Sequence, residues 1–422
     1  MRFCWKFLRI RESVRKSFYK QKEEWLVNEK KIMALADKNI MNTYKRVPIA
    51  LTKGEGARLW DANGKEYLDF VAGIAVCNLG HSHPNVVKAI RKQVKNLTHV
   101  SNLYYTQPQA EVAALLTKHS FADKAFFCNS GAEANEAAIK LVRKYAHENL
   151  GADKFELITM KDSFHGRTMA TITATGQEKF QFGFTPLLEG FTYVPFNDLV
   201  ALEAAITPKT CGIMLEPIQG EGGVIIPDER YLARVRDICN RHKILMIIDE
   251  VQTGIGRTGK LFAYEYSGIQ PDIMTLAKAL GNGFPVGAML ATHEIAKAFS
   301  PGNHASTFGG NLLAMAAAKA TLKTMLDEGI LENCRKMGDY FLTKLQALKA
   351  KHSIISGVRG RGLMLACALT IEGADIVKSC QERGLLINCT GGKTLRFVPP
   401  LIITQNDIDA AIAILDDVME GK

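Results

Sequence analysis

Apolar and polar residues alternate along this chain with two different periods, and the switching between them predicts its elements. Compact apolar runs recur at Lys124–Asn129, Phe155–Thr159, Gly212–Leu215, Ile244–Ile248, Ile273–Leu276 and Val286–Ala291. Runs this short and this apolar suit strands covered on both faces. Between them lie stretches of helical spacing. From Ser130 to Tyr145 the apolar positions are Ala134, Ala137, Ala138, Leu141, Val142 and Tyr145, and Glu229–Arg241 repeats the habit. Strand and helix in alternation predict an α/β fold, a large doubly wound domain on a mainly parallel sheet. Two long helices follow at Asn311–Leu326 and Leu331–Ala350. Strands at Gly362–Leu369, Leu386–Cys389 and Leu395–Val398, and a closing helix Asp407–Met419 capped by Thr404, predict a smaller α+β domain.

The chemistry gathers where strands should end. Asp249 closes the run Ile244–Ile248, and Lys278 closes the stretch from Pro271. In open α/β sheets ligands bind outside the carboxyl ends of the strands, so residues remote in sequence can share one crevice. An amine able to form a Schiff base with an aldehyde, and a carboxylate able to hold a ring nitrogen protonated, are the two groups pyridoxal phosphate asks of a protein. Taken singly, the Asp is also a helix cap and the Lys also a solvated cation. At Ser130-Gly131 a strand hands over to a helix whose first amides lack internal partners, a cup for phosphate. Ser130 with Glu133 equally spells a capping box, and both readings hold together. In the segment Ser163–Thr168, Phe164 can stack on a planar heterocycle and Arg167 can clamp a carboxylate with its two-pronged guanidinium.

Two motifs mislead. Gly254–Gly259 satisfies G-x-G-x-x-G, and Gly254–Lys260 nearly satisfies the P-loop pattern, but Leu261 stands where a Ser or Thr would hold magnesium. These glycines do not lead from a strand into an amphipathic helix, so a flexible loop at the crevice is expected. His81 and His83 flank Ser82 just before Pro84, a turn opening a helix, and two such ligands are too few for a metal. No metal site is expected.

These segments together resemble the class III, or ω-amino-acid, group of pyridoxal-phosphate aminotransferases, and within it the bacterial acetylornithine branch. The resemblance runs from about Asn39 to the C-terminus through Asp61–Phe70, Leu79–Pro84, Asn129–Asn135, Phe164–Arg167, Glu216–Gly222, Asp249–Gln252, Lys278, Ser306–Asn311 and Leu395–Phe397. It implies a fold-type-I transferase with an N-terminal extension at 1–38, small-domain segments at 39–85 and 311–422, and a cofactor domain at 86–310. It further implies that Lys278 joins the cofactor and shuttles the proton, and that Asp249 holds the pyridinium proton. Val251 and Gln252 are to pack against the ring and its hydroxyl edge, beside Phe164. Ser130, Gly131 and Ala132 are to bind the phosphate, joined by Thr307 from a neighbouring subunit, which makes a homodimer with shared sites. For substrate, Arg396 is to grip the α-carboxylate of glutamate or 2-oxoglutarate and to pair with Glu221 when the ω-amine is bound. Arg167 is to hold the distal carboxylate, with Ser306 a further contact and Glu216 a wall of the pocket.

The reaction so implied moves an amino group from N-acetylornithine to 2-oxoglutarate, giving N-acetylglutamate 5-semialdehyde and glutamate, a step of arginine biosynthesis. Ornithine, succinylornithine and then 4-aminobutyrate are the rival substrates. Glutamate-1-semialdehyde aminomutases use the same Lys and Asp without an outside acceptor, and Arg396 with Glu221 speaks against them.

Composition narrows the setting. Net charge is +10, but residues 1–36 hold ten Lys and Arg against four Glu, so the main body is only mildly basic and no nucleic-acid partner is expected. That N-terminal stretch has neither the unbroken apolar core of a secretory signal nor the acid-poor makeup of a transit peptide. It is expected to be a disordered or helical extension, with Met33 or Met41 as an alternative start and an organelle presequence, on its basic and partly amphipathic pattern, as the other reading. Nine scattered cysteines without a C-x-x-C pair suggest free thiols in a reducing compartment, the cytoplasm. No apolar run is long enough to span a bilayer.

Overall fold

Residues 28–421 are described by the structure, a computed structural model. The expectation for residues 1–38 therefore falls mostly outside the described residues; its end is a helix, Glu29–Asn39, capped by the Asn28 side chain.

Three sheets organise the chain. The first joins β1 (Leu51–Glu55), β2 (Arg58–Asp61) and β3 (Glu66–Asp69) in antiparallel order. The central sheet is built from β4 (Lys124–Cys128), β5 (Glu156–Met160), β6 (Phe191–Val194), β7 (Thr210–Leu215), β8 (Leu245–Asp249), β9 (Ile273–Leu276) and β10 (Gly287–Ala291). Its order is β4-β10-β9-β8-β7-β5-β6, with β10 antiparallel to both neighbours and the other pairings parallel. The third sheet contains β11 (Ile355–Arg361) and β12 (Met364–Leu369); β13 (Leu385–Leu386) joins the first sheet beside β3, and β14 (Asn388–Thr390) and β15 (Thr394–Phe397) complete the third.

The side-chain period of two sorts the central strands onto two apolar faces. Leu157, Met214, Ile247 and Ile273 pack with Ala137, Ala138, Leu141 and Val142 of the helix Gly131–Asn149. Their neighbours Ile158, Ile213, Met246 and Met274 pack on the other side with Val235 and Ile238 of the helix Tyr231–His242. Truncating one such side chain, for example Leu141→Ala, costs about 2–5 kcal/mol. The sheet is therefore a rigid base for whatever projects from its ends.

Register decides what projects together. Asp249 on β8 pairs with Thr275 on β9, so Asp249 and Lys278, two residues past Leu276, leave the sheet at the same edge. Ser130, Phe164 and Glu216 follow the ends of β4, β5 and β7 at that edge too. Three elements differ from the sequence pattern. The strand β6 escaped it because Phe-Thr-Tyr-Val is only half buried at the sheet edge. Gly362–Leu369 is one arm of a hairpin whose other arm, β11, carries too many Gly and Arg to read as a strand. The loop Gly254–Gly259 is not a flexible crevice loop but is buried. Its Arg257 is fully enclosed and donates to the carbonyls of Leu363 (2.9 Å) and Pro399 (2.6 Å) and to Asn78. Burial of a guanidinium is tolerated only where acceptors meet it, and these tie the loop to the third sheet.

Candidate active site

A cavity of about 390 Å³ opens at the carboxyl edge of the central sheet. Lys278 and Asp249 line it, with Ser130, Gly131, Ala132, Phe164, Arg167, Glu216, Val251 and Gln252. One space thus gathers ten side chains and backbone segments singled out from sequence.

Asp249 is held from three sides. Its Oδ2 accepts from Asn135 Nδ2 and His165 Nδ1, both at 2.8 Å, and its Oδ1 from the Val251 amide at 2.9 Å. The carboxylate is 3% exposed, and the donors compensate for its desolvation. Counting lone pairs, Oδ2 is satisfied and Oδ1 keeps one free for a further donor. Asn135 is itself fixed, giving to the His165 carbonyl (2.7 Å) and accepting from Thr275 Oγ1 (2.7 Å).

Lys278 stands on a left-handed backbone (φ 44°) at the start of the turn Lys278–Gly281, a strained conformation for a residue with a side chain. The surface it exposes is cavity wall. Burial, with help from Arg396, pushes its ammonium below the usual lysine range, against the opposing pull of Glu221, Asp249 and Glu216. A neutral amine is the nucleophilic form.

At the head of the helix Gly131–Asn149 Ser130 is the N-cap, but the capping box is displaced by one residue, because Glu133 reaches past the cap to Asn129. Ser130 Oγ accepts from the Glu133 amide (3.2 Å) and Glu133 returns to the Asn129 amide (2.8 Å). That leaves the first-turn amides of Gly131 and Ala132 facing the cavity. Gly131 is required for a reason the sequence hides, since a Cβ there would lie 2.7 Å from Val251 Cγ1. A buried carboxylate with a spare lone pair, a buried amine and a helix N-terminus in one cavity fit the ring, aldehyde and phosphate of pyridoxal phosphate.

Glu216 is a wall residue in fact, accepting from the amides of Phe164 (3.1 Å) and Gly220 (3.2 Å). Burial pushes its carboxyl up to about 7. Behind the wall, Arg396 on β15 is 1% exposed and donates to Glu221 Oε1 at 2.6 Å and to the Gly220 carbonyl at 3.2 Å. Burial works to raise Glu221, but the Arg396 charge and hydrogen bond prevail and hold it below the usual carboxylate range. Arg167 is exposed at the cavity mouth.

Four predicted residues do not line the cavity: Arg396 and Glu221, paired behind it, and Thr307 and Ser306. Thr307 is exposed and Ser306 half-buried, and neither lines this chain's cavity; Ser306 Oγ accepts instead from Asn129 Nδ2 at 3.2 Å. Two others were overlooked. His165 and Asn135 were passed over although a buried polar residue on a helix's apolar face, and a His between Phe164 and Gly166, were visible in the sequence. His81 turns to Asp69 (2.7 Å), and His83 stands at the N-cap of the helix Pro84–Val94.

Against known proteins, the family model for class-III aminotransferases matches residues 40–419. An acetylornithine aminotransferase from Caldanaerobacter subterraneus subsp. tengcongensis is 55% identical, over 90% of this chain and 97% of its own length. One from Methanocaldococcus jannaschii is 51% identical, over 94% and 98%. Among solved structures, the ornithine aminotransferase of Toxoplasma gondii superposes with a TM-score of 0.91 at 33% identity, covering 95% of this chain and 97% of that one, and has partial occupancy of PLP at its active site.

Proposed function

This chain belongs to the class-III aminotransferases, pyridoxal-phosphate enzymes of fold type I, and on that premise we propose that it transfers the δ-amino group of N-acetylornithine to 2-oxoglutarate. The observation that carries the reading is the presence of Lys278 and Asp249 in one cavity, with a closed Arg396–Glu221 ion pair behind its Gln252 wall. Relatives about half identical bear the acetylornithine name, whereas the ornithine enzyme in the structural comparison is 33% identical, which supports the acylated substrate over its rival.

The bound cofactor supplies an aldehyde that captures the amine and a protonated ring that draws off the electrons left when a C–H bond breaks. Lys278 Nζ, whose ammonium burial pushes below the usual lysine range, would hold the aldehyde and is placed to take and return the proton at the reacting carbon. Asp249, whose Oδ1 keeps a lone pair beyond the Val251 amide, would hold the ring proton. The Gly131 and Ala132 amides would hold the phosphate, and Phe164, Val251 and Gln252 would confine the ring. With the ω-amine bound, Arg396 stays paired with Glu221 and the pocket is neutral there. When glutamate or 2-oxoglutarate enters, Glu221 turns away and Arg396 takes the α-carboxylate, because an unpaired buried guanidinium would be costly. Arg167 takes the carboxylate distal to the reacting carbon.

We further propose a homodimer. Thr307 and Ser306 lie outside this chain's own cavity, and the large apolar side chains Leu103 (79%), Tyr104 (69%) and Phe308 (58%) are exposed, which supports a covering partner. The partition into segments 39–85, 86–310 and 311–422, and a cytoplasmic setting, belong to the same proposal. Every cysteine among the described residues is a free thiol, and no described helix is long and apolar enough to cross a membrane.

The test is one half-reaction. N-acetylornithine added to the cofactor-loaded protein should bleach its long-wavelength absorption, and 2-oxoglutarate should restore it. Faster bleaching by ornithine would replace the substrate, and no bleaching by either would remove the proposal.

A further inference from the structure

Phe180 has no part in the chemistry above. It sits on the short helix Glu178–Gln181, and it does not line the cavity. Yet Arg167 Cζ lies 4.0 Å from the centroid of its ring and 5.5 Å from that of Phe164. The two rings meet edge to face, with centroids 5.7 Å apart and planes at 82°. Among the described residues Arg167 has no ion pair or hydrogen bond, so these aromatic faces are its support. The ring is shared, with Lys179 Nζ 4.8 Å from the same centroid.

The shelf is itself anchored. Gln181 Nε2 donates to the Thr175 carbonyl (2.8 Å) and to Tyr193 Oη (3.2 Å), and Gln177 Nε2 to the Ser163 carbonyl (2.8 Å). The Gln177 bond ties the start of the helix to the segment that carries Phe164 and Arg167, and the Gln181 bonds fasten its end to Thr175 and to β6. A free arginine at a cavity mouth samples many rotamers, and binding a carboxylate must freeze them. A guanidinium held over an aromatic face is restrained in position while its N–H donors stay available to a carboxylate.

We infer that Phe180 is a positioning residue, whose ring holds the Arg167 guanidinium with its edge free for a substrate carboxylate and braces Phe164 at the cavity wall. This rests on the proposed role of Arg167. The decisive pair of substrates is N-acetylornithine and N-acetyl-1,4-diaminobutane, the same amine without the carboxylate. Phe180→Leu should raise KM for N-acetylornithine by roughly three- to thirty-fold with kcat little changed, and leave kcat/KM for the diaminobutane within about twofold. Phe180→Tyr, which keeps the face, should restore KM. Binding of 2-acetamidopentanoate, which has the carboxylate but not the reacting amine, should weaken by the same factor in calorimetry. Should ornithine prove the better substrate, ornithine and 1,4-diaminobutane form the equivalent pair. Arg167→Leu separates the two claims. If that variant is silent, the carboxylate clamp and this inference both fall. If it acts while Phe180→Leu is silent, or slows both substrates alike, only the shelf is overturned.

Discussion

The floor of the cavity and its rim are built on opposite principles. The floor, Asp249 and Lys278, is set by adjacent strands in fixed register, and Asp249 is held by donors from two other segments and from the Val251 amide of its own turn. The rim, with what stands behind and outside it, is Arg167 on an aromatic shelf, Glu221 on a loop behind the wall, and Thr307 outside the cavity altogether. Bond making tolerates little misplacement, so it sits on the rigid sheet, while recognition of two unlike substrates needs groups that can move or arrive from elsewhere.

The sharpest way to break this contrast is to strip the floor. Lys278→Ala should lower kcat by about 10³-fold or more, measured in single turnover, because nothing else at the floor can carry the proton. A variant still cycling near the parent rate would remove Lys278 from the mechanism. Asp249→Asn keeps the shape but not the charge, and should lower kcat by about 10²–10³-fold with KM much less affected. Rim changes should be smaller and selective. Glu221→Gln leaves Arg396 unneutralised, so the N-acetylornithine half-reaction should slow roughly ten- to hundredfold while the 2-oxoglutarate half-reaction does not. Equal slowing of both in stopped flow would deny the switch. Thr307→Ala should weaken coenzyme binding by about tenfold, the worth of one charge-assisted hydrogen bond, as read by fluorescence titration. No change would mean the rim is not shared between subunits.

The smallest expected effect on turnover comes from the residue next to Asp249. Glu250 is also buried, but it faces the core and burial pushes it up to about 7. Its folded value exceeds the ordinary 4.5, so the stability it permits is complete below about pH 4.5 and lost as pH rises through about 7. The loss is about 3 kcal/mol at most. Glu250→Gln should flatten the fall in melting temperature across that window and leave the half-reactions nearly untouched. An unaltered pH profile would show that Glu250 does not titrate there.

The same floor and rim explain what could be read in advance. Apolar runs such as Ile244–Ile248 announce buried strands and their ends, so Asp249 and Lys278 were legible before any contact was known. Where the pattern was weak the elements were lost: β6 is half exposed, and β11 is dense in Gly and Arg. Gly254–Gly259 misled because its burial depends on carbonyls of Leu363 and Pro399, more than a hundred residues away. His165 and Asn135 were invisible in role for the same reason, since their partner Asp249 is remote in sequence. Phe180 carried no signal at all, because a stacking distance is a tertiary fact.

The central claim is that Lys278 is the amine that holds the coenzyme. Borohydride reduction of the loaded protein, followed by peptide mass mapping, should find a phosphopyridoxyl group on Lys278. The label on another lysine, or on none, would contradict the account.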